Sequence, residues 1–262
     1  MEKETNLTIS IGGIAVGLHS DQVNVREQYS RYYGAFISGV TPITELELNI
    51  LGREETWNQE FLLDNGIVLL NTPAVVGKID CNKQKNVVTI NSSSLFETVD
   101  YMLRVVFAVL LFREGGLLLH AAGLKKNGNG YLFTGHSGTG KSTVARLSGD
   151  ALVLNDDLVT LLPSKLGWVV HGTPFWNPTQ TKPNPCSALL KGIYALVQDE
   201  QVFIEQLSHG MALAELITNV PVLTQDPGLS GQVMERCSEI IKRVTPVRLH
   251  FFPDDSFWRL ID

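Results

Sequence analysis

Hydrophobic and polar positions alternate along much of the first third of the chain. The stretch ITELELNI, residues 43–50, places apolar side chains at every second position, which predicts a strand that buries one face. Residues 66–92 contain further short apolar runs, interrupted by Pro73 and by a polar turn at 82–86, and these predict two or three more strands. We therefore expect residues 1–92 to form a β-rich N-terminal domain.

A different spacing follows in the middle of the chain. From Leu95 to Arg113 the apolar residues lie on almost every side of a helical wheel, which predicts a buried helix. Gly115 and Gly116 come directly after it and are typical of a helix end. Residues 93–115 are accordingly interpreted as a helix that connects two domains.

The rest of the chain, residues 116–262, mixes hairpin and strand–helix patterns. Two apolar runs flank a Gly/Asn-rich turn at 125–130, which predicts a β-hairpin that leads into a glycine-rich stretch. The later pattern predicts a helix at 141–148, strands at 151–155 and 166–175, a strand pair within 192–208, helices at 211–219 and 231–244, and a last strand at 247–252. This order predicts an α/β domain in which helices flank a mixed sheet.

Composition narrows the class of protein. Lys and Arg number 21 against 27 Asp and Glu, a net charge of −6, so a broad surface for nucleic acid is not expected. Cys81, Cys186 and Cys237 lack the spacing of a metal site or a disulfide framework. The start of the chain has no signal-peptide pattern, and the most apolar run, 102–112, is interrupted by Arg104. We expect a cytoplasmic protein that binds neither nucleic acid nor membrane.

A phosphate-binding motif follows the second strand of the hairpin. Residues 135–142, GHSGTGKS, match the pattern G-x-x-x-x-G-K-[ST], whose glycines let backbone N–H groups converge on phosphate oxygens. Lys141 is expected to reach the β- and γ-phosphates, and the Ser142 hydroxyl is expected to contact Mg²⁺. The predicted cofactors are ATP and Mg²⁺. The predicted nucleotide-binding residues are Gly135, His136, Ser137, Gly138, Thr139, Gly140, Lys141, Ser142 and Thr143, with His136 contributing mainly its backbone.

Two carboxylates follow this motif at a short distance. Asp156 and Asp157 come 15 and 16 residues after Lys141, directly behind the predicted strand 151–155. One carboxylate can hold a metal ion while the other accepts a proton from a substrate. His120 lies on the first hairpin strand, where a lone histidine among apolar residues is more often part of a core than of a site.

These three features together resemble a known family. The segments LLLHAAGL, GNGYLFTGHSGTGKSTVARL and ALVLNDDLVTL are similar to the catalytic domain of HPr kinase/phosphorylase, which is related to ATP-dependent phosphoenolpyruvate carboxykinase. The similarity covers about 116–160 and is weaker over 166–262. It implies a P-loop domain that transfers the γ-phosphoryl group of ATP to a hydroxyl. It also implies that Mg²⁺ lies near Ser142 and Asp156, that Asp157 is the general base, that His120 lies near the reaction centre, and that several copies of the chain assemble.

The resemblance has limits that leave the acceptor open. Thr143 stands where the bifunctional enzymes of that family have Glu, and no segment matches their HPr-docking end. The chain is more similar to HPr-kinase-like proteins encoded beside peptide-modification systems, so the acceptor is expected to be a peptide, a protein or a small molecule. His171 and Thr173 precede a Pro/Asn-rich loop and are candidates for substrate contact.

Two alternatives stand beside the kinase hypothesis. One is a non-catalytic nucleotide-binding partner in a biosynthetic complex. The other is a carboxykinase-like enzyme that acts on a small molecule, which is disfavoured because residues 172–190 offer only Lys182 to hold a dicarboxylate.

Overall fold

The computed structural model describes residues 5–55, 60–176 and 181–261. The chain divides into two compact units, residues 1–113 with 225–228, and residues 114–224 with 229–262. Each unit contains a mixed sheet, and the architecture is α/β with a β-rich N-terminal region, as the hydrophobic pattern predicts. No helix within the described ranges has both the length and the apolar character needed to cross a membrane.

Over its described residues, the first unit is a seven-stranded sheet with two α-helices. Its elements, in chain order, are β1 (Thr5–Ile11), β2 (Ile14–Ser20), α1 (Val23–Tyr33), β3 (Thr44–Glu55), β4 (Leu62–Asp64), β5 (Ile67–Thr72), β6 (Val75–Asp80), β7 (Lys85–Ser92) and α2 (Leu95–Arg113). The strand order is β1-β2-β3-β7-β6-β5-β4, with β2, β3 and β7 parallel to one another. The predicted helix α2 and the predicted strands β3, β5, β6 and β7 are confirmed, whereas β1, β2, α1 and β4 have no counterpart in the sequence-based prediction.

The described residues of the second unit form nine strands. Its elements are β8 (Leu117–His120), β9 (Ala122–Lys126), β10 (Asn129–Thr134), α3 (Lys141–Leu147), β11 (Leu152–Asn155), β12 (Leu158–Ser164), β13 (Gly167–Gly172), β14 (Ser187–Gln198), β15 (Phe203–Gln206), α4 (His209–Thr218), α5 (Ser230–Ile241), β16 (Val247–Phe251) and α6 (Trp258–Ile261). The predicted hairpin is confirmed as β9 and β10, which pair antiparallel around a tight turn at Asn127 and Gly128. Both turn residues have positive φ, the conformation that two-residue hairpin turns favour.

One sequence-based pairing is wrong. The strands predicted within 192–208 exist as β14 and β15, but they do not pair with each other. Strand β16 lies between them, parallel to β14 and antiparallel to β15. The hydrophobic pattern of two neighbouring strands cannot reveal that a strand from the end of the chain inserts between them, because that pairing depends on residues about 50 positions away.

The first and last strands in the order of the second sheet belong to the same two-stranded ribbon. Strands β8 and β9 are one run of chain interrupted at Ala121, and β11 and β12 are one run interrupted at Asp156 and Asp157. Because β9 pairs with β11 and β8 pairs with β12, the order β11-β9-β10-β14-β13-β12-β8 begins and ends on the same two-stranded ribbon. Both interruptions fall at the same level of this ribbon, where Ala121 N donates to Asp157 O at 3.0 Å.

An apolar cluster fills one face of this sheet. Tyr131 and Phe133 of β10 pack with Val144 of α3, Phe251 of β16 and Trp258 of α6, and all five are buried. Trp258 Nε1 donates to Ser148 Oγ at 2.8 Å, so the indole also satisfies its polar atom inside the cluster. This packing holds α3, and hence the glycine-rich loop that precedes it, against the sheet.

Candidate functional site

Four strand ends meet at one edge of the second sheet. β10 is parallel to β14, and β14 is parallel to β16. β11 runs in the same direction as β10, because each is antiparallel to β9. The carboxyl ends of these strands, Thr134, Asn155, Gln198 and Phe251, therefore lie at the same edge. In α/β proteins ligands commonly bind beyond the carboxyl ends of parallel strands.

A pocket of about 250 Å³ opens at this edge. It brings together nine residues that the sequence singles out as site candidates and one that it does not, Gln198. The residues that line it are His120, Ser137, Gly138, Gly140, Lys141, Ser142, Thr143, Asp156, Asp157 and Gln198. Segments that are up to 78 positions apart in the chain thus form one site.

The glycine-rich loop curls around the amine of Lys141. Gly135, Gly138 and Gly140 have φ of +139°, +85° and +110°, a region that residues with a side chain rarely adopt. Lys141 Nζ donates to Gly135 O at 2.6 Å and to His136 O at 3.1 Å. The loop therefore has the sharply turned backbone that the motif predicts, and its lysine is held at the centre.

Three predicted loop residues shape the loop without lining the pocket. Thr139 Oγ1 donates to His136 O at 2.9 Å, and the Thr139 side chain fills the space beside Gly135, where a Cβ would lie 2.6 Å from its hydroxyl. The His136 side chain is exposed, and its carbonyl accepts the hydrogen bonds from Thr139 and Lys141. These residues support the curvature of the loop.

Lys141 is unusually buried for a lysine, with 8% of its surface exposed. Burial lowers the pKa of its amine, because the charged form loses hydration, while the nearby Asp157 carboxylate acts in the opposite direction. A buried amine bonded only to neutral carbonyls would be stabilised by an anion in the adjacent pocket.

Asn155 determines the direction of the adjacent carboxylates of Asp156 and Asp157, which we call the acidic pair. Its buried side-chain amide donates to Thr173 O and Phe175 O, both at 3.0 Å. Its Oδ1 accepts from Asp157 N at 2.7 Å and from Leu158 N at 2.9 Å. The Asn155 side chain thus stabilises a turn at residues 155–158, which we call the acidic turn. This turn breaks the ribbon between β11 and β12 and directs both carboxylates to the pocket.

Asp156 is almost completely buried, with 2% of its surface exposed. Burial raises the pKa of its carboxyl group, whereas the Thr181 N–H and the Ser142 hydroxyl favour the charged form and lower it. Its Oδ1 has no hydrogen-bond partner among the described residues. An oxygen of this kind at the wall of a pocket has the properties of a cation ligand.

Asp157 pairs with His120 across the interrupted ribbon. His120 Nε2 lies 3.1 Å from Asp157 Oδ1, and the two side chains are 42% and 27% exposed. The backbone of His120 is fixed by a bond of 2.8 Å from its N–H to Asn219 O. His120 therefore belongs to the site and is not a core residue, which the sequence alone left undecided.

The structure does not bring His171 and Thr173 to this pocket. Thr173 is fully buried, and its hydroxyl donates to Leu158 O at 2.6 Å, so it supports the acidic turn. His171 is half-buried in β13 opposite Thr160, and burial lowers the pKa of its imidazole. Part of the loop that follows, residues 177–180, lies outside the described residues.

Gln198 and Asn155 are the site residues that sequence reasoning missed. Gln198 carries no motif, and its place follows only from the parallel pairing of β14 with β10. Asn155 did carry a signal, because an asparagine at the end of an apolar strand is typical of a turn that its own side chain stabilises.

Comparison with protein families identifies the chain. The model of the family described as SynChlorMet cassette protein ScmC matches residues 78–243, which is more than half of the chain, and the chain belongs to this family. The match includes the glycine-rich loop, both aspartates, His120 and Gln198. No curated protein matches the chain. The family description states no activity, so the function is argued from the site.

Proposed function

We propose that this member of the ScmC family is an ATP- and Mg²⁺-dependent kinase that transfers the γ-phosphoryl group to a hydroxyl of a peptide, a protein or a small molecule. One observation carries the proposal. A glycine-rich loop, a buried lysine, a buried carboxylate with an oxygen that lacks a partner, and a second carboxylate paired with a histidine all line the same pocket. The resemblance to the HPr kinase catalytic domain over about 116–160 supports the same reaction.

The triphosphate of ATP would lie against the loop and Lys141. Phosphoryl transfer needs charge stabilisation and positioning more than covalent help from the protein. The backbone N–H groups of the loop and the Lys141 amine offer positive partial or full charge, and Lys141 would exchange a loop carbonyl for phosphate oxygens. The pocket of about 250 Å³ is of a size suited to the phosphates, with the rest of the nucleotide extending outside it.

Asp156 and Ser142 fit a magnesium ion. Mg²⁺ is usually bound by one or two carboxylates together with substrate phosphates and water, and seldom by a cage of protein side chains alone. Within the described parts of the chain no group of three or more His, Cys, Asp or Glu residues could hold a metal ion. Asp156 Oδ1 and the Ser142 hydroxyl supply the few oxygens that this type of site requires. The ion would neutralise charge on the β- and γ-phosphates.

Asp157 is the proposed general base. Its carboxylate accepts the proton of the acceptor hydroxyl as that oxygen bonds to the γ-phosphorus, and the bond from the γ-phosphorus to the bridging oxygen breaks to release ADP. His120, at 3.1 Å, orients this carboxylate and keeps one of its oxygens engaged. Asp157 is more exposed than Asp156, which suits a group that must meet an external substrate.

The charge of the site favours kinase chemistry over the carboxykinase-like alternative. A dicarboxylate substrate needs several cationic side chains to hold it. Lys141 is the sole Lys or Arg among the described residues that line the pocket, and the loop already engages it.

The proposal is tested by incubating the protein with Mg²⁺ and ATP that carries ³²P at the γ-phosphate. Transfer of the label is then measured to candidate peptides, carrier proteins and small hydroxyl compounds. Asp157→Asn should lower turnover by about 10²–10⁴-fold, the usual contribution of a general base, and change ATP affinity little. Asp255→Asn, at an exposed position of the same unit, is the matched control and should be neutral. Unchanged turnover in Asp157→Asn would show that Asp157 is not the base. Tight ATP binding without transfer to any acceptor would favour the non-catalytic alternative.

A further inference from the structure

Gln198 lies beside the glycine-rich loop because β14 is longer than β10. Thr134, the last residue of β10, pairs with Ala195, so β14 continues for three more residues alongside the loop. At its end the side-chain amide of Gln198 donates to Gly138 O at 2.9 Å. The two residues are 60 positions apart in the chain, and this bond ties the tip of the loop to the sheet.

The bonded carbonyl lies where it could hinder an anion. A carbonyl oxygen carries partial negative charge, and at the rim of a phosphate pocket it would repel a triphosphate. The loop solves the same problem elsewhere with Lys141, which covers Gly135 O and His136 O. Gln198 covers Gly138 O in the same way, by donating a hydrogen bond from its neutral amide. When Lys141 turns to the phosphates, the bond from Gln198 remains.

A second strand end supports the next glycine of the loop. Gln198 pairs with Phe251 of β16, and the Phe251 ring lies against Gly140, where a Cβ would come within 2.6 Å of its Cζ. The ends of β14 and β16 thus contact Gly138 and Gly140, the two loop glycines that line the pocket. The loop shape is therefore set partly by strands that follow it in the chain.

We propose that Gln198 is a positioning residue for nucleotide binding, which holds Gly138 so that the loop N–H groups face the phosphates and its own carbonyl oxygen is neutralised. The inference rests on the proposed function, because it presumes that the loop binds a nucleoside di- or triphosphate. The residue type matches the role. Glutamate could not donate to Gly138 O and would add negative charge, and lysine would compete with Lys141 for the phosphates.

Binding of AMP-PNP, ADP and AMP, measured by isothermal titration calorimetry in the presence of Mg²⁺, tests this role. Gln198→Met keeps the length of the side chain but removes the donor, and Gln198→Glu keeps the shape but reverses the polarity. Gln232→Met, at an exposed position of α5, is the matched control. We expect Gln198→Met to bind AMP-PNP and ADP about tenfold more weakly, and Gln198→Glu to bind them more weakly still. AMP, which lacks the β- and γ-phosphates, should change by less than about twofold.

The possible results separate this inference from the proposed function. If the wild-type chain binds none of the three nucleotides, the kinase proposal fails and this inference fails with it. If the wild type binds AMP-PNP and Gln198→Met binds it equally well, only the role of Gln198 is refuted. An equal loss for AMP and AMP-PNP would also refute it, because it would indicate a general structural defect. Thermal unfolding checks that each variant is folded, and Gln198→Glu decides the matter should Gln198→Met not fold.

Discussion

Substitution by alanine should destabilise the protein more at Gly140 than at Gly138, two glycines of the same loop. The difference in unfolding free energy should measure the contact between Gly140 and Phe251. Gly138 and Gly140 both have positive φ, +85° and +110°, so alanine at either position incurs backbone strain of about 1–2 kcal/mol. A Cβ at Gly138 would meet nothing within 4 Å, whereas a Cβ at Gly140 would lie 2.6 Å from Phe251 Cζ. Because Phe251 is buried in the cluster around Trp258, its ring cannot easily move away.

The overlap at Gly140 adds the cost of overpacking, about 1–3 kcal/mol. Gly140→Ala should therefore lower the free energy of unfolding of the second unit by about 2–5 kcal/mol, and Gly138→Ala by only about 1–2 kcal/mol. For a unit of this size the melting temperature of Gly140→Ala should lie on the order of 5 °C below that of Gly138→Ala. In a Phe251→Leu background the excess cost of Gly140→Ala should disappear.

Urea unfolding followed by tryptophan fluorescence is a suitable assay, since Trp168, Trp176 and Trp258 all belong to the second unit. The double-mutant cycle of Gly140→Ala with Phe251→Leu gives the coupling energy directly. Equal destabilisation by the two alanine variants would refute the contact. So would a cost of Gly140→Ala that is the same in the presence and absence of the Phe251 ring.

Three further predictions concern the acidic turn and the thiols. Asp156→Asn should raise the melting temperature at pH 7.5. Burial raises the pKa of Asp156 in the folded state, so ionisation of this carboxyl group lowers stability as pH rises through that pKa. The increase in melting temperature that Asp156→Asn gives should therefore shrink towards pH 4. An increase that does not change with pH would contradict this reasoning. Asn155→Ala should cost about 3 kcal/mol or more in urea unfolding, because it removes four hydrogen bonds of a buried side chain. A cost below about 1 kcal/mol would show that the turn does not depend on this side chain. Iodoacetamide at pH 8 should modify only Cys186 in the folded protein and all three cysteines after denaturation. Cys186 is exposed, whereas burial raises the pKa of Cys81 to about 11 and that of Cys237 to about 12. Mass spectrometry of the intact chain distinguishes these results.

Local patterns determined much of the candidate site. Gly135, Gly138 and Gly140 adopt positive φ that other residues avoid, so the sequence alone predicts a sharp turn of the backbone at these positions. Asp156 and Asp157 follow an apolar strand at a short distance, and this spacing was enough to place them beside the loop. Helix α2 was predicted with its observed bounds, because its long apolar run is followed directly by Gly115 and Gly116, which are typical of a helix end.

Tertiary pairing decided the rest. That His120 meets Asp157 depends on where two strands are interrupted, and an isolated histidine in an apolar run carries no sign of it. The position of Gln198 depends on the parallel pairing of β14 with β10, and that of Phe251 depends on the insertion of β16 between β14 and β15. A local pattern reports which face of a strand is buried, but it does not report which strand lies beside it. The sequence by itself therefore determined the loop and its acidic pair, whereas the fold decided which distant residues hold that loop in shape.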